Sequence, residues 1–156
     1  MLTFDEGDFR FNYRSVGVIF NRNQVLLHKS EKDSFWALPG GRVEFMESAR
    51  DTIKREMQEE LGINIGVERL LWIVENFFEY DDKSYHELAF YFLISSPSNS
   101  AFYAQTKSFK CIEEGSDLIF QWHQLEALED IELYPKFLQK SLRSIPQVTQ
   151  YIVHYG

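Results

Sequence analysis

A chain of 156 residues, 44% of them hydrophobic and 16% aromatic, has enough apolar surface to build one core, and residues 1–156 read as a single domain. Its one cysteine, Cys111, excludes an internal disulfide and fits a reducing compartment. The net charge of −8, with no Lys/Arg cluster, argues against a nucleic-acid polymer as partner, whereas a small phosphate ligand stays compatible if a divalent cation stands between the charges.

The opening MLTFDEGDFRFNYRS is mixed and acidic, without the basic start and apolar run of a secretory signal. No uncharged apolar stretch approaches the roughly 20 residues that span a bilayer, so no membrane association is expected and a cytoplasmic location is. RSVGVIFNRNQVLLHKS, from Arg14 to Ser30, predicts two short strands around a turn at Asn21 to Asn23. FWALPGGRVEF follows, broken at Pro39-Gly40-Gly41.

The strongest helix signal comes next. Ser48 suits the N-cap, Asp51 stands three residues on, and Gly62 occupies the place of a terminating C′ glycine. INIGVERLLWIVENFFEY and SYHELAFYFLISS predict two long strands joined by a polar turn at Asp81 to Lys83. Pro97 to Asp117 lacks periodicity, and an insertion of this length reads either as a lid or ligand loop or as a mobile surface segment. DLIFQWHQL predicts a strand, and PKFLQKSLRS a helix with Pro135 at its first position. The whole is a mixed α/β domain, one main sheet with helices packed on it.

The helix carries its acids in an unexpected place. Ala49, Ile53, Met57 and Leu61 form an i, i+4 apolar ladder, with Asp51, Lys54 and Gln58 on the opposite side. With Glu56 at zero and roughly 100° per residue, Glu59 lies near −60° and Glu60 near +40°, within the arc of Ala49 and Ile53. Like charges at these spacings repel, and partial burial strips their hydration. Protonation, ion pairing or a bound cation would relieve the crowding. Arg55 reaches Glu59 at i+4 but is the lone base nearby; magnesium or manganese would neutralise the rest. A solvated acidic face is the plain alternative.

Reading back from the helix gives Gly41, five residues, Glu47, seven residues, Arg55-Glu56-Met57, one residue, Glu59-Glu60, one residue, Gly62-Ile63. This resembles the Nudix box, G-x5-E-x7-R-E-U-x-E-E-x-G-U, at every specified position, with a W-x-L-P-G-G approach in Trp36 and Leu38 to Gly41. The resemblance extends over roughly residues 10 to 143. It implies an α/β/α sandwich around a mixed sheet with the box helix packed on it. It also implies metal-dependent cleavage of a nucleoside diphosphate linked to another moiety, with Mg2+ or Mn2+ as cofactor. On that resemblance Glu56, Glu59 and Glu60 are metal carboxylates, the carbonyl of Gly40 or Gly41 is a further ligand, and Glu47 with Arg55 braces the loop against the helix. The general base is Glu56 or Glu59, or a glutamate outside the box, for which Glu87, Glu113 and Glu114 are candidates. The other reading of Glu87 is an outward residue on an alternating strand, and of Glu113 and Glu114 solvated loop acids.

Arg14 and Arg42 read either as substrate-phosphate contacts or as surface arginines. His86 reads as a metal ligand or a structural histidine; Phe77, Phe78 and Tyr80 as stacking or core rings; Trp36 as packing beneath the Pro-Gly-Gly turn. A catalytically silent Nudix-fold binding or regulatory module is the alternative function, though none of the box acids is degenerate. Nucleoside triphosphates, ADP-ribose and nucleotide sugars all stay open as substrates, with a lean to nucleoside di- or triphosphates from the short chain. The aromatic surplus leaves room for a homodimer surface.

Overall fold

The computed structural model describes residues 1–96 and 100–156. Ten strands form two sheets. The mixed sheet contains β1 (Thr3–Glu6), β2 (Phe9–Val18), β5 (Gly40–Arg42), β6 (Gly66–Tyr80), β7 (Lys83–Ser95) and β10 (Gln150–Tyr155). Their order is β1-β2-β7-β6-β10, with β5 pairing β2 beyond β1 on the same edge. β2 runs parallel to β7 and β10 parallel to β6; the other pairs are antiparallel. A second, antiparallel sheet holds β3 (Phe20–Asn21), β4 (Gln24–Ser30), β8 (Phe109–Lys110) and β9 (Leu118–Gln124) in the order β3-β4-β9-β8. The expectation of one main sheet is therefore extended by a second. β2 ends at Val18, and after one residue the chain re-enters as β3 and pairs elsewhere.

Helix α1 (Ala49–Leu61) packs on one side of the mixed sheet. Its Ala49, Ile53 and Met57 join Ile19, Val43, Phe92 and Ile94 in a core that also receives Phe120 and Trp122 of β9. A 3-10 helix (Leu125–Asp130) and the later helix cover a separate core built on Val16, Val18, Trp72, Val74 and Tyr91. Two apolar layers, one per side, make the α/β/α arrangement.

The predicted N-cap holds: Ser48 Oγ accepts from Asp51 N at 3.0 Å. Gly62 takes φ 68°, with its N–H returning to Gln58 O. The β6–β7 hairpin turns on Asp81 and Asp82, both at positive φ, as the twist of the flanking strands requires of a two-residue loop.

Three expectations need revision. The helix read over PKFLQKSLRS shrinks to α3 (Leu138–Ser141): Leu138 N and Gln139 N bond back three residues to Pro135 O and Lys136 O, so Pro135 opens a tight turn that precedes the helix. Of the Pro97–Asp117 insertion, Pro97, Ser98 and Asn99 lie outside the described residues. The remainder is anchored at a few aromatic rings and otherwise exposed: α2 (Ser100–Tyr103) buries Phe102, the Trp122 indole donates to Phe102 O at 3.4 Å, and Phe109 stacks on Phe120, while residues 104–108 and 112–115 lie on the surface. Finally, β10 has no counterpart in the sequence reading. No helix among the described residues is long and apolar enough to cross a membrane.

Candidate active site

The box folds as β5, a loop and α1; backbone crowding demands glycine at Gly40, and at Gly41 a side chain would displace the Glu56 carboxyl group. A β-carbon on Gly40 would overlap the Ser15 carbonyl, and one on Gly41 would overlap the Glu56 carboxyl group. Both positions let backbone approach closely. The Gly41 main chain thereby lies against the Glu56 carboxyl group.

Arg55 organises the acids. Its Nε and Nη2 donate to Glu47 Oε2 and Oε1 at 2.8 and 3.0 Å, and Nη2 also reaches Arg42 O at 3.2 Å. Nη1 donates to Glu56 Oε1 at 2.7 Å and to Glu59 Oε2 at 3.2 Å. Glu47 accepts further bonds from Thr52 Oγ1 and Glu44 N, which tie the loop to the first turn of α1. Hydrogen bonding to Arg55 is the main reason the Glu47 carboxyl is held down at about 2. The brace is thus a fork-to-fork pair plus two more carboxylates on one guanidinium.

Glu56 and Glu60 lean the other way. Burial raises the Glu56 carboxyl, with Arg55 opposing and Glu59 and Glu113 adding to the rise. Glu60 is 5% exposed and its Oε2 has no hydrogen-bond partner. Burial first, then the charges of Glu56, Glu113 and Glu59, push it up to about 8 against the pull of Arg14. Glu59, by contrast, is exposed. Among the described residues no three acidic, histidine or cysteine side chains converge tightly enough to hold an ion as they stand. Arg55 claims Glu56 and Glu59, and an ion would have to replace those contacts. The donor chemistry nevertheless suits a hard dication: a buried carboxylate oxygen without a partner beside a second desolvated carboxylate.

Of the candidates outside the box, Glu113 comes closest to it. The loop after β8 is anchored by Ile112 N donating to Glu60 O at 2.8 Å, and the charge of Glu113 is felt by both Glu56 and Glu60. Glu114 is exposed and raises neither carboxyl. Glu87 is not the outward residue of the plain alternation reading: it is 7% exposed and accepts from Asn12 Nδ2 at 2.6 Å. Spacing already held the signal, since Glu87, Ala89 and Tyr91 share one face of β7 and all are buried.

That face opens on a cavity of about 810 Å³ whose wall includes Arg14 and Arg42, cross-strand partners on β2 and β5. Phe78 and Tyr80 line it with Phe35, Tyr85, Tyr134 and Tyr155. Phe77 points away, packing on Tyr155 and His86. His86 is half exposed, 3.5 Å from Glu75, and takes no part in the acidic site. Trp36 packs between Lys29 and His123 on the second sheet. The contribution of β10 and the Tyr134–Lys136 segment to the cavity was not foreseen.

Fold and site together define a class: an α/β/α protein with a carboxylate-bearing helix beside an aromatic cavity and two arginines at their junction. The chain belongs to the Nudix family, for a NUDIX domain model matches residues 12–145. An RNA pyrophosphohydrolase of Ruthia magnifica subsp. Calyptogena magnifica is 34% identical over 84 residues, 53% of this chain and 45% of the relative. A putative ADP-ribose pyrophosphatase of Bacillus subtilis (strain 168) is 35% identical over 60 residues, 38% of this chain and 29% of the relative. The chain thus spans less than half the length of either. A mutator MutT protein from Bacillus halodurans shares the fold with a TM-score of 0.61 at 20% identity, over 92% of this chain and 90% of that one. Nudix hydrolases generally use divalent metals.

Proposed function

We propose that this protein is a pyrophosphohydrolase that cleaves a nucleoside diphosphate-linked compound with Mg2+, or Mn2+ in its place. The observation that carries this reading is Glu60: a buried carboxylate with an unpartnered oxygen, next to Glu56, in a box that lacks none of its acids. A carboxylate left so costs free energy unless a cation compensates it. Glu56, Glu59 and Glu60 would hold the cation, with the Gly40 or Gly41 carbonyl. Bound there, it supplies neutralisation of the pyrophosphate oxygens and acidifies the attacking water.

The protein's own groups divide the remaining tasks. Arg55 is held by three carboxylates and a carbonyl, so it positions acids and does not clamp phosphate. Arg14, Arg42 and Lys136 line the cavity, and the two arginines, paired across β2 and β5, are the cations we assign to a phosphate chain. In this reading the water's proton passes to Glu56 or Glu59 or, from the loop, to Glu113, whose charge reaches Glu56 and Glu60. The ligand family in this reading is small-molecule: nucleoside triphosphates, ADP-ribose or nucleotide sugars, of which ADP-ribose is named by the Bacillus subtilis relative.

The test is a hydrolysis panel of these compounds with Mg2+ or Mn2+, products separated by chromatography, on wild type and Glu59→Gln. Turnover by wild type and its loss in a folded Glu59→Gln protein is the expected result. Full activity in that variant would refute the metal assignment.

A further inference from the structure

The floor of the cavity is a polar row laid across the mixed sheet. Register sets Asn12 on β2 opposite Glu87 on β7, Glu87 opposite Asn76 on β6, and Asn76 opposite His154 on β10. All four line the cavity, and three are deeply buried: Asn12 at 2%, Asn76 and Glu87 at 7%. Two residues along the strands the floor is aromatic at Phe78 and Tyr85. Hydrogen-bonding groups buried in such surroundings are costly unless something meets them.

The row is hydrogen-bonded at both ends, and Asn12 Oδ1 is a further buried acceptor without a partner among the described residues. Asn12 Nδ2 donates to Glu87 Oε2 at 2.6 Å, which orients the carboxylate and leaves Oε1 with no protein partner among the described residues. At the other end His154 Nδ1 lies 3.1 Å from Asn76 Oδ1. Asn76 Oδ1 can only accept, so this contact requires the tautomer with the proton on His154 Nδ1; the Asn76 NH2 then has no protein partner among the described residues. Across the sheet the row therefore offers two carboxylate acceptors followed by one amide donor.

Among the nucleobases, one edge complements that order. Guanine presents an exocyclic NH2 and a ring N–H, both donors, and then a carbonyl oxygen. Adenine and cytosine place an acceptor nitrogen beside their amino group, and uracil sets a single N–H between two carbonyls. We infer that Glu87 and Asn76, with Asn12 as a positioning residue, select a guanine base. The carboxylate takes both N–H donors and the Asn76 NH2 meets the carbonyl. Arg14, two residues beyond Asn12 on β2 and paired with Arg42, then lies on the phosphate side of the same ligand. The inference rests on the proposed pyrophosphohydrolase reading only for the phosphate half.

The experiment compares GTP, ITP, XTP and ATP on wild type and Glu87→Gln, by kcat/KM with Mg2+ and by calorimetric binding without metal. ITP lacks the exocyclic NH2, so wild type should prefer GTP over ITP roughly ten- to hundredfold, and over ATP by at least as much. The amide that Glu87→Gln introduces offers one donor and one acceptor, which matches the C2 carbonyl and ring N–H of XTP. The variant should lose the GTP preference and gain XTP, a switch that a merely structural role would not produce. The wild-type GTP/ITP ratio decides the matter even if the variant fails to fold. A ratio near one, or a GTP preference retained in folded Glu87→Gln, overturns the inference and leaves the hydrolase reading standing. So does equal loss of turnover on every nucleotide with binding unchanged, which would make Glu87 the proton acceptor. Selective binding of GTP without hydrolysis by wild type would uphold the inference and defeat the hydrolase reading.

Discussion

Gly41 and the Glu56 carboxyl group compete for one space: a β-carbon at Gly41 would stand 2.5 and 2.6 Å from the two Glu56 carboxylate oxygens, so the carboxyl would have to move. The glycine is what lets strand β5 and helix α1 close on one another with an acid between them. Gly41→Ala should displace Glu56 from Arg55, lower stability by roughly 1–3 kcal/mol through overpacking, and reduce hydrolysis by more than the unfolded fraction accounts for. Denaturant melts beside turnover at a temperature where the variant stays folded would separate the two effects. Unchanged turnover would show that the contact is not needed for the chemistry.

Arg55 serves Glu47, Glu56 and Glu59 with one planar group, which lysine cannot imitate. Arg55→Lys should cost roughly 2 kcal/mol of stability and leave Glu47 less acidic. The Glu47 carboxyl, held near 2 in the folded protein and near 4.5 when unfolded, adds stability that is complete above 4.5 and disappears as pH falls towards 2. Acid melts should therefore lose part of that limb in Arg55→Lys; identical acid limbs would dismiss the brace.

Glu60 titrates with the opposite sign. Its folded carboxyl sits at about 8 against an ordinary 4.5, so the folded state holds the proton more tightly. Without metal, Glu60 costs nothing below 4.5, and the cost grows through the interval to 8 and is full above it. Glu60→Gln removes the ionisation. Its advantage in melting temperature over wild type in EDTA should widen from pH 5 to pH 8.5, and added Mg2+ should raise wild type but not the variant. A constant gap across that pH range would mean that Glu60 is not buried as described.

The helix, its caps and the offset of its acids were legible in the sequence because they follow from spacing within one element: Ser48, Gly62 and Glu60 each sit where angle and cap chemistry put them. The cavity was not. Glu87, Asn76 and His154 are brought together by the register of β7 on β6 and of β6 on β10, and strand pairing between distant segments leaves no local mark. β10 itself, QYIVHY, follows a Pro/Ser/Thr/Gln-rich stretch and alternates weakly, with its outer residues exposed at the sheet edge. Pro135 misled because proline at a helix start and proline opening a tight turn look alike in sequence.

His28 sets the acid behaviour away from the site. It is buried on β4 against Phe120, its Nδ1 has no hydrogen-bond partner, and burial lowers its pKa from 6.5 to about 3. His123 on β9, also with an unpartnered ring nitrogen, is lowered to about 4 by the same cause. The unfolded chain binds these protons below 6.5 while the folded chain refuses them, so stability falls as pH drops from 6.5 towards 3. Each histidine contributes up to about 1.4 kcal/mol per pH unit over its window. His28→Leu keeps the site apolar and removes one such proton. Urea unfolding should show the variant gaining on wild type between pH 7.5 and pH 5, with hydrolysis at pH 7.5 unaltered because His28 meets the cavity-lining Ala37 through backbone hydrogen bonds, which leucine keeps, and its side chain does not line the cavity. Parallel stability curves for the two proteins over that range would show that His28 is protonated in the folded state.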